Sequence, residues 1–215
     1  MKKFFFIIGL LCSTALMAQT KKPENNKPET LVVIHTQFGD MMAVLYNDTP
    51  KHRDNFIKLI KEGWYNGSTF HRVIKGFMIQ GGGNKDGKVD PGYTISAEIR
   101  PNHFHKKGAL AAAREGDKVN PEKCSSGSQF YIVQGQGVTD AYLDAVSART
   151  GHVFTKEERE TYKTIGGAPH LDGGYTVFGE LLSGFDVLDK IASVKTDAHD
   201  KPLVPVKMTI EVLDN

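Results

Sequence analysis

Phe70-His71-Arg72-Val73-Ile74-Lys75-Gly76-Phe77-Met78-Ile79-Gln80-Gly81-Gly82-Gly83 sets one fixed positive charge among apolar residues and ends in a run of glycine. Its two apolar runs, Phe70 to Ile74 and Phe77 to Gln80, flank Lys75-Gly76, the pattern of two strands joined by a tight hairpin or bulge. Side chains alternate across a strand, so Phe70, Arg72 and Ile74 are expected on one face and Val73 on the other. An arginine among apolar neighbours is costly to bury unless a partner meets its donors. Arg72 therefore has either a partner inside the fold or a functional task, and the stretch alone supports both readings equally.

Working outward, Leu31 to Thr36 and Met41 to Tyr46 read as a hairpin turned at Gln37-Phe38-Gly39-Asp40. Thr49-Pro50 opens a helix with Phe56, Leu59 and Ile60 on one stripe and Gly63 as its stop, which should close one end of a sheet or barrel. Gly81-Gly82-Gly83 has neither a following helix nor a Lys-Ser/Thr ending, so close backbone approach and a turn are preferred to a phosphate loop. Asn84 to Tyr93 reads as loop. Within Ile95 to His105, His103 and His105 should share a strand face, but no third or fourth ligand stands at motif spacing, so no metal site is expected.

Gly108 to Arg114 (GALAAAR) and Gly127 to Val133 (GSQFYIV) are strand-like. The small side chains of the first would let an extended peptide lie close and bond to its backbone; the plain alternative is packing beneath another element. Asp140 to Arg149 carries Tyr142, Leu143 and Val146 at helical spacing, and Thr155 with Glu158 forms a capping box for a helix through Ile165, stopped by Gly166-Gly167. Phe185 to Ser193 reads as a helix with Phe185, Leu188 and Ile191 on one side, and Val206 to Val212 as a half-buried final strand. Several short strands with two main helices suit a closed antiparallel barrel capped at both ends.

Met1-Lys2-Lys3, the apolar run Phe4 to Leu11 and Ala15-Leu16-Met17-Ala18 form a secretory leader cleaved after Ala18, followed by a polar spacer, Gln19 to Glu29. Gly9-Leu10-Leu11-Cys12 is a poor lipid-anchor site, because Leu11 is not small. The 27 Lys and Arg fall to 25 when Lys2 and Lys3 leave with the leader, matching 25 Asp and Glu, and nothing in that balance points to nucleic acid. No mature stretch is long enough for a membrane-spanning helix. Cys124 is then the only thiol, which excludes an intrachain disulfide, and its neighbours offer no activating histidine. The expected product is an exported, periplasmic or secreted domain over residues 30–215.

Phe70 to Gly83 closely resembles the signature of the cyclophilins, a family of peptidyl-prolyl isomerases, and Gly108 to Arg114, Gly127 to Val133 and Leu171 to Glu180 (LDGGYTVFGE) resemble further family motifs in family order. The resemblance implies a mainly β fold, an eight-stranded antiparallel barrel capped by two helices, with residues of about 135–168 an inserted helical hairpin at the rim of the substrate groove or elsewhere on the surface. It implies a peptidyl-prolyl cis-trans isomerase that accelerates X-Pro rotation in folding exported proteins, as a monomer without cofactor. The alternative is a peptide-binding chaperone or scaffold on the same fold. It implies Arg72 as catalyst; Phe77, Met78, Tyr131 and Leu171 around the proline ring; and Gln80, Ala113, Arg114 and Gln129 along the peptide. Phe130 would contribute by packing. His170 and Tyr175 complete the implied substrate-binding set: His170 stands where animal members that bind cyclosporin strongly carry tryptophan, which argues against tight cyclosporin binding, and Tyr175 stands where they often carry histidine, as in some bacterial members.

Overall fold

The structure, a computed structural model, describes residues 28–86, 88 and 90–213, so the leader and nearly all of the spacer lie outside the described residues. In chain order the elements are β1 (Thr30–Thr36), β2 (Gly39–Leu45), α1 (Pro50–Lys61), β3 (Ser68–Phe70), β4 (Arg72–Ile74), β5 (Met78–Gly81), β6 (Thr94–Ile95), β7 (Ala109–Ala112), β8 (Ser125–Ser126), β9 (Phe130–Val133), α2 (Asp140–Thr150), α3 (Lys156–Thr164), a short 3-10 turn (Pro169–Leu171), β10 (Val177–Ser183), α4 (Phe185–Ile191) and β11 (Val206–Val212). The main sheet is antiparallel, in the order β3-β11-β1-β2-β10-β7-β9-β5-β4, and β6 with β8 forms a separate ribbon. Its two outer strands, β3 and β4, are parted in sequence by His71 alone, so the sheet curls into a nearly closed barrel.

Nine strands replace the expected eight because Phe70 to Ile74 is not one strand. Phe70 pairs with Val206 of β11, whereas Arg72 pairs with Gln80 of β5. The chain leaves one ladder for another at His71, and the expected alternation is broken there. Phe70 is buried in the barrel interior, but Arg72 points outward with 44% of its side chain exposed, so the burial problem posed by its sequence does not arise. Helix count also differs from the two end helices of the simplest barrel, since α2 and α3 form an antiparallel pair beside it.

Strand alternation then sorts the remaining residues. Val73, Ile79, Leu110, Ala112, Phe130 and Ile132 face the interior, where the Phe56 ring of α1 meets Phe130 at 5.3 Å and Phe178 at 5.4 Å between centroids. Each such fully buried aromatic contributes about 1.5–3 kcal/mol by leaving water. α1 begins with Pro50 at its first turn, as expected, but the Thr49 side chain does not cap it. Buried Glu98 does so from a distance: its carboxylate accepts the Lys51 and His52 N–H groups and the His52 Nδ1 hydrogen at 2.8–3.1 Å. At the other end α4 buries Val187, Leu188 and Ile191, with Phe185 only partly covered.

Gly82, in the glycine triplet, takes φ of 108° and lies so close to the segment before β9 that a Cβ would collide with the Ser128 carbonyl oxygen and come within 2.7 Å of the Gln129 Cα. The triplet is a close backbone approach, as read from the sequence. α2 and α3 follow their sequence signals, with Thr139 capping the first and the Thr155/Glu158 capping box the second. They share a small core of Leu143, Val146, Phe154 and Tyr162, while Tyr142 stays exposed. The expected strand carrying His103 and His105 is absent: β6 ends at Ile95, a turn at Pro101-Asn102 intervenes, and the two rings go to separate carboxylates, Asp48 and Asp172, at 2.7 Å each. Among the described residues no helix is long and apolar enough to cross a membrane.

Candidate active site

The outward residues of four adjacent strands form one surface. Arg72 pairs with Gln80, Gln80 with Tyr131, and Tyr131 with Ala111, so a single row crosses β4, β5, β9 and β7. Met78 lies two residues along on the same face. Above this row Ala109, Ala111 and Ala113 keep the floor low, and Phe77, Leu171 and Tyr175 stand around it. The result is an open cavity of about 190 Å³ lined by Arg72, Phe77, Met78, Gln80, Ala113, Arg114, Tyr131, Leu171 and Tyr175, residues drawn from four separated stretches of sequence.

Of the other expected residues, Gln129 lines a neighbouring cavity and accepts a hydrogen bond from Gln80 Nε2 at 3.3 Å. His170 lies outside the 190 Å³ cavity with its ring 5.2 Å from that of Phe77. Phe130 faces the barrel interior, where it supports the sheet from below.

Arg72 has one ionic partner that sequence reading did not identify. Asp200 lies 3.5 Å from its Nε, and the Asp200 carbonyl accepts the Val73 N–H at 2.8 Å. Both side chains are more than two-fifths exposed, so the pair orients the fork with less than about 1 kcal/mol. Among the described residues the other guanidinium N–H groups have no hydrogen-bond partner and stand at the cavity rim.

Tyr131 is held from behind. Asp172 Oδ1 accepts both the His105 N–H at 2.9 Å and the Nδ1 hydrogen at 2.7 Å, Tyr162 donates to Oδ2 at 2.6 Å, and His105 Nε2 lies 3.0 Å from the Tyr131 hydroxyl. With Nδ1 donating to the carboxylate, Nε2 is the acceptor and Tyr131 the donor. Burial raises the Tyr131 phenol well above its ordinary pKa, so the chain fixes a ring and does not generate a phenolate. Asp172 was legible as part of a motif; its partners His105 and Tyr162, distant in sequence, were not.

Two expectations change. β7 is no free edge: it pairs with β10 and β9, and Ala113 N–H and carbonyl are bonded to Gln129 and Ser126. A peptide therefore cannot extend the sheet along Ala109 to Ala113, and among the described residues the first unbonded backbone in this run is that of Arg114. The Arg114 fork, in contrast, is committed to Gly174 O, Glu115 O and Asp117 at 2.6–2.8 Å, and it stacks 4.5 Å over the Tyr175 ring. It braces the wall.

A family model described as cyclophilin type peptidyl-prolyl cis-trans isomerase/CLD matches residues 31–212. The chain belongs to the cyclophilin-type peptidyl-prolyl cis-trans isomerases. A Staphylococcus saprophyticus protein provisionally named as such an isomerase is 38% identical over 197 residues, covering 89% of this chain and 95% of that one. A Streptococcus pyogenes protein provisionally named as a bifunctional phosphatase/peptidyl-prolyl cis-trans isomerase is 41% identical, and this cyclophilin covers 43% of its length. Among solved structures, a cyclophilin type isomerase of Cryptosporidium parvum superposes with a TM-score of 0.66 at 27% identity, covering 87% of this chain and 99% of that one. Another structure of that protein was determined in the presence of the dipeptide Ala-Pro.

Among the described residues folding also assembles one group of potential metal ligands, which sequence spacing did not suggest: ligand atoms of His152, Glu158 and Asp172 all lie within 4.8 Å of one another. Two of the three residues have other duties, while the buried His152 Nε2 has no hydrogen-bond partner among the described residues and lies 3.5 Å from Glu158. Both Asp172 oxygens hold His105 and Tyr162, and Glu158 accepts the Thr155 N–H at 2.6 Å in its capping box.

Three histidines make the stability of this cyclophilin sensitive to acid. Burial lowers the imidazole pKa of His52, His71 and His170, aided at His71 by Arg72 and at His170 by His105 and Arg149. The unfolded chain protonates these rings near pH 6.5, before the folded one does, so their contribution is complete above about that pH and is lost as pH falls below it. His35, raised chiefly by its hydrogen bond to Asp40, acts in the opposite direction, but it stands alone and is exposed. The urea midpoint of unfolding is expected to fall between about pH 7.5 and about pH 5.5; a midpoint that holds or rises over this range contradicts the assignment.

Proposed function

We propose that this isomerase acts on X-Pro bonds of exported polypeptides during their folding, with Arg72 as the catalytic group. The observation that carries the reading is an exposed guanidinium at the rim of a cavity walled by Phe77, Met78, Tyr131 and Leu171. The apolar walls receive the proline ring. Gln80, Gln129, Ala113 and the Arg114 backbone contact the peptide beside it, and Phe130 supports the floor.

Rotation about an X-Pro bond breaks no covalent bond, but its barrier is about 18–20 kcal/mol because the nitrogen lone pair is shared with the carbonyl. In the twisted state that lone pair is localised and can accept a hydrogen bond. An arginine supports this state in two ways: its charge persists across the working pH range, and its planar fork can hold a carbonyl while directing an N–H at the prolyl nitrogen. Bringing tens of seconds down to milliseconds, about 10⁴-fold, needs about 5–6 kcal/mol of preferential stabilisation. One charge-assisted hydrogen bond supplies about 1.5–3 kcal/mol. The remainder falls to the cavity, which fixes the proline and removes water.

Export rests on the Met1 to Ala18 leader pattern. Residues of about 135–168, containing α2 and α3, are an inserted hairpin standing at the rim of the groove. The test is refolding of a secreted protein whose slow phase is limited by prolyl isomerisation, alongside conversion of a short X-Pro peptide. The purified protein is expected to accelerate both. Binding of unfolded protein without any acceleration would favour the scaffold reading.

A further inference from the structure

A second and larger cavity, of about 810 Å³, adjoins the one just described and shares Arg114, Leu171 and Tyr175 with it. One side is barrel, the loops around Gly116 to Lys123 and His170 to Tyr175. The other is Arg149 to His152, the end of α2 and the turn that follows. Its walls include bare backbone: at Gly116, Gly151 and Gly173 no heavy atom lies within 4 Å of where a side chain would begin.

The open charge of this cavity is positive. Arg149 is exposed in the last turn of α2 and forms no ion pair or hydrogen bond among the described residues, and its charge reaches the His170 ring. Lys123 adopts a left-handed backbone with φ of 55°, uncommon for a lysine, and its Nζ is held at the wall by Gly173 O at 3.0 Å. The two carboxylates at the cavity are already answered. Asp117 is paired with Arg114 at 2.6 Å, and Asp172 is 2% exposed, with both oxygens held by His105 and Tyr162.

Resting on the reading of the smaller cavity as the proline pocket, we propose that the larger cavity beside it selects substrates carrying an aspartate or glutamate near the isomerised proline. The acidic side chain lies between Arg149 and Lys123, so α2 and α3 give the isomerase a sequence preference. Because the cavities share a wall and an extended chain advances about 3.3 Å per residue, the acidic position falls within about four residues of the proline, on one side only.

The test is a set of X-Pro peptides in which Glu is compared with Gln at each of the four or so positions on either side. The Glu-to-Gln ratio of kcat/KM is expected to reach about threefold to fivefold at one or two neighbouring positions, the worth of a partly exposed ion pair. In about 1 M salt, where the screening length is about 3 Å, it should approach one. Arg149→Gln should remove the preference, and Arg149→Glu should shift it towards lysine at the same position. A ratio near one at every position, or a preference untouched by Arg149→Gln, overturns the proposal while leaving the proline pocket standing. No isomerisation of any peptide would instead overturn the reading of that pocket, and the proposal with it.

Discussion

Replacing Arg72 with alanine is expected to lower kcat/KM for a short X-Pro peptide by about 10²–10³-fold, the cost of removing one preorganised donor group from a transition state. The fold should barely register the change. Arg72 lies outside the barrel, and its one ionic partner, Asp200, is 3.5 Å away with both side chains largely in water. Its removal should therefore shift the melting temperature by no more than about 2–4 °C. Arg72→Lys keeps the charge but loses the planar fork, so it should recover only part of the lost rate. Arg72→Ala turning over within about threefold of the unaltered protein would end the assignment of Arg72 as catalyst.

The largest stability effect is expected at Asp172. Its carboxylate is 2% exposed and accepts the His105 N–H, the His105 ring and the Tyr162 hydroxyl, joining the loop behind the active site to α3. Asp172→Ala strands three donors in a buried space, a loss of about 3–5 kcal/mol. For a chain of this size that corresponds to roughly 6–20 °C in melting temperature. The same change frees the His105 ring that positions the Tyr131 hydroxyl, so the surviving folded protein should also lose activity. Asp172→Asn retains one acceptor oxygen and should be milder in both respects. A melting temperature within about 2 °C of the original for Asp172→Ala would show that the network carries no weight.

Much of the site was legible because it lies in runs with strong local patterns. Met78 and Gln80 sit on a short alternating strand, with Phe77 in the turn just before it, and Tyr131 on another strand, so local chemistry and final position agree. The helical pair was legible for the same reason: the Thr155/Glu158 capping box is satisfied by neighbours three residues apart. What escaped was set by distant partners. Nothing local to Phe70 to Ile74 says that its first residue will pair with Val206 and its third with Gln80. Small side chains in Ala109 to Ala113 fit an edge strand and a central strand equally well, and only the positions of β9 and β10 decide between them. Glu98 as the cap of α1, Asp200 beside Arg72 and His105 behind Tyr131 are likewise contacts across 46, 128 and 26 residues of chain.

The break at His71 also makes the setting of Arg72 depend on a distant part of the chain. Among the described residues the strand before it pairs only with β11, and the carboxylate beside Arg72 comes from Asp200. β4 pairs with β5 and β5 with β9, whereas the segment leading into Arg72 is seated by residues 200–212. On the reading of Arg72 as catalyst, the groove is therefore finished only when residues 200–212 have taken their places, β11 beside β3 and Asp200 beside Arg72.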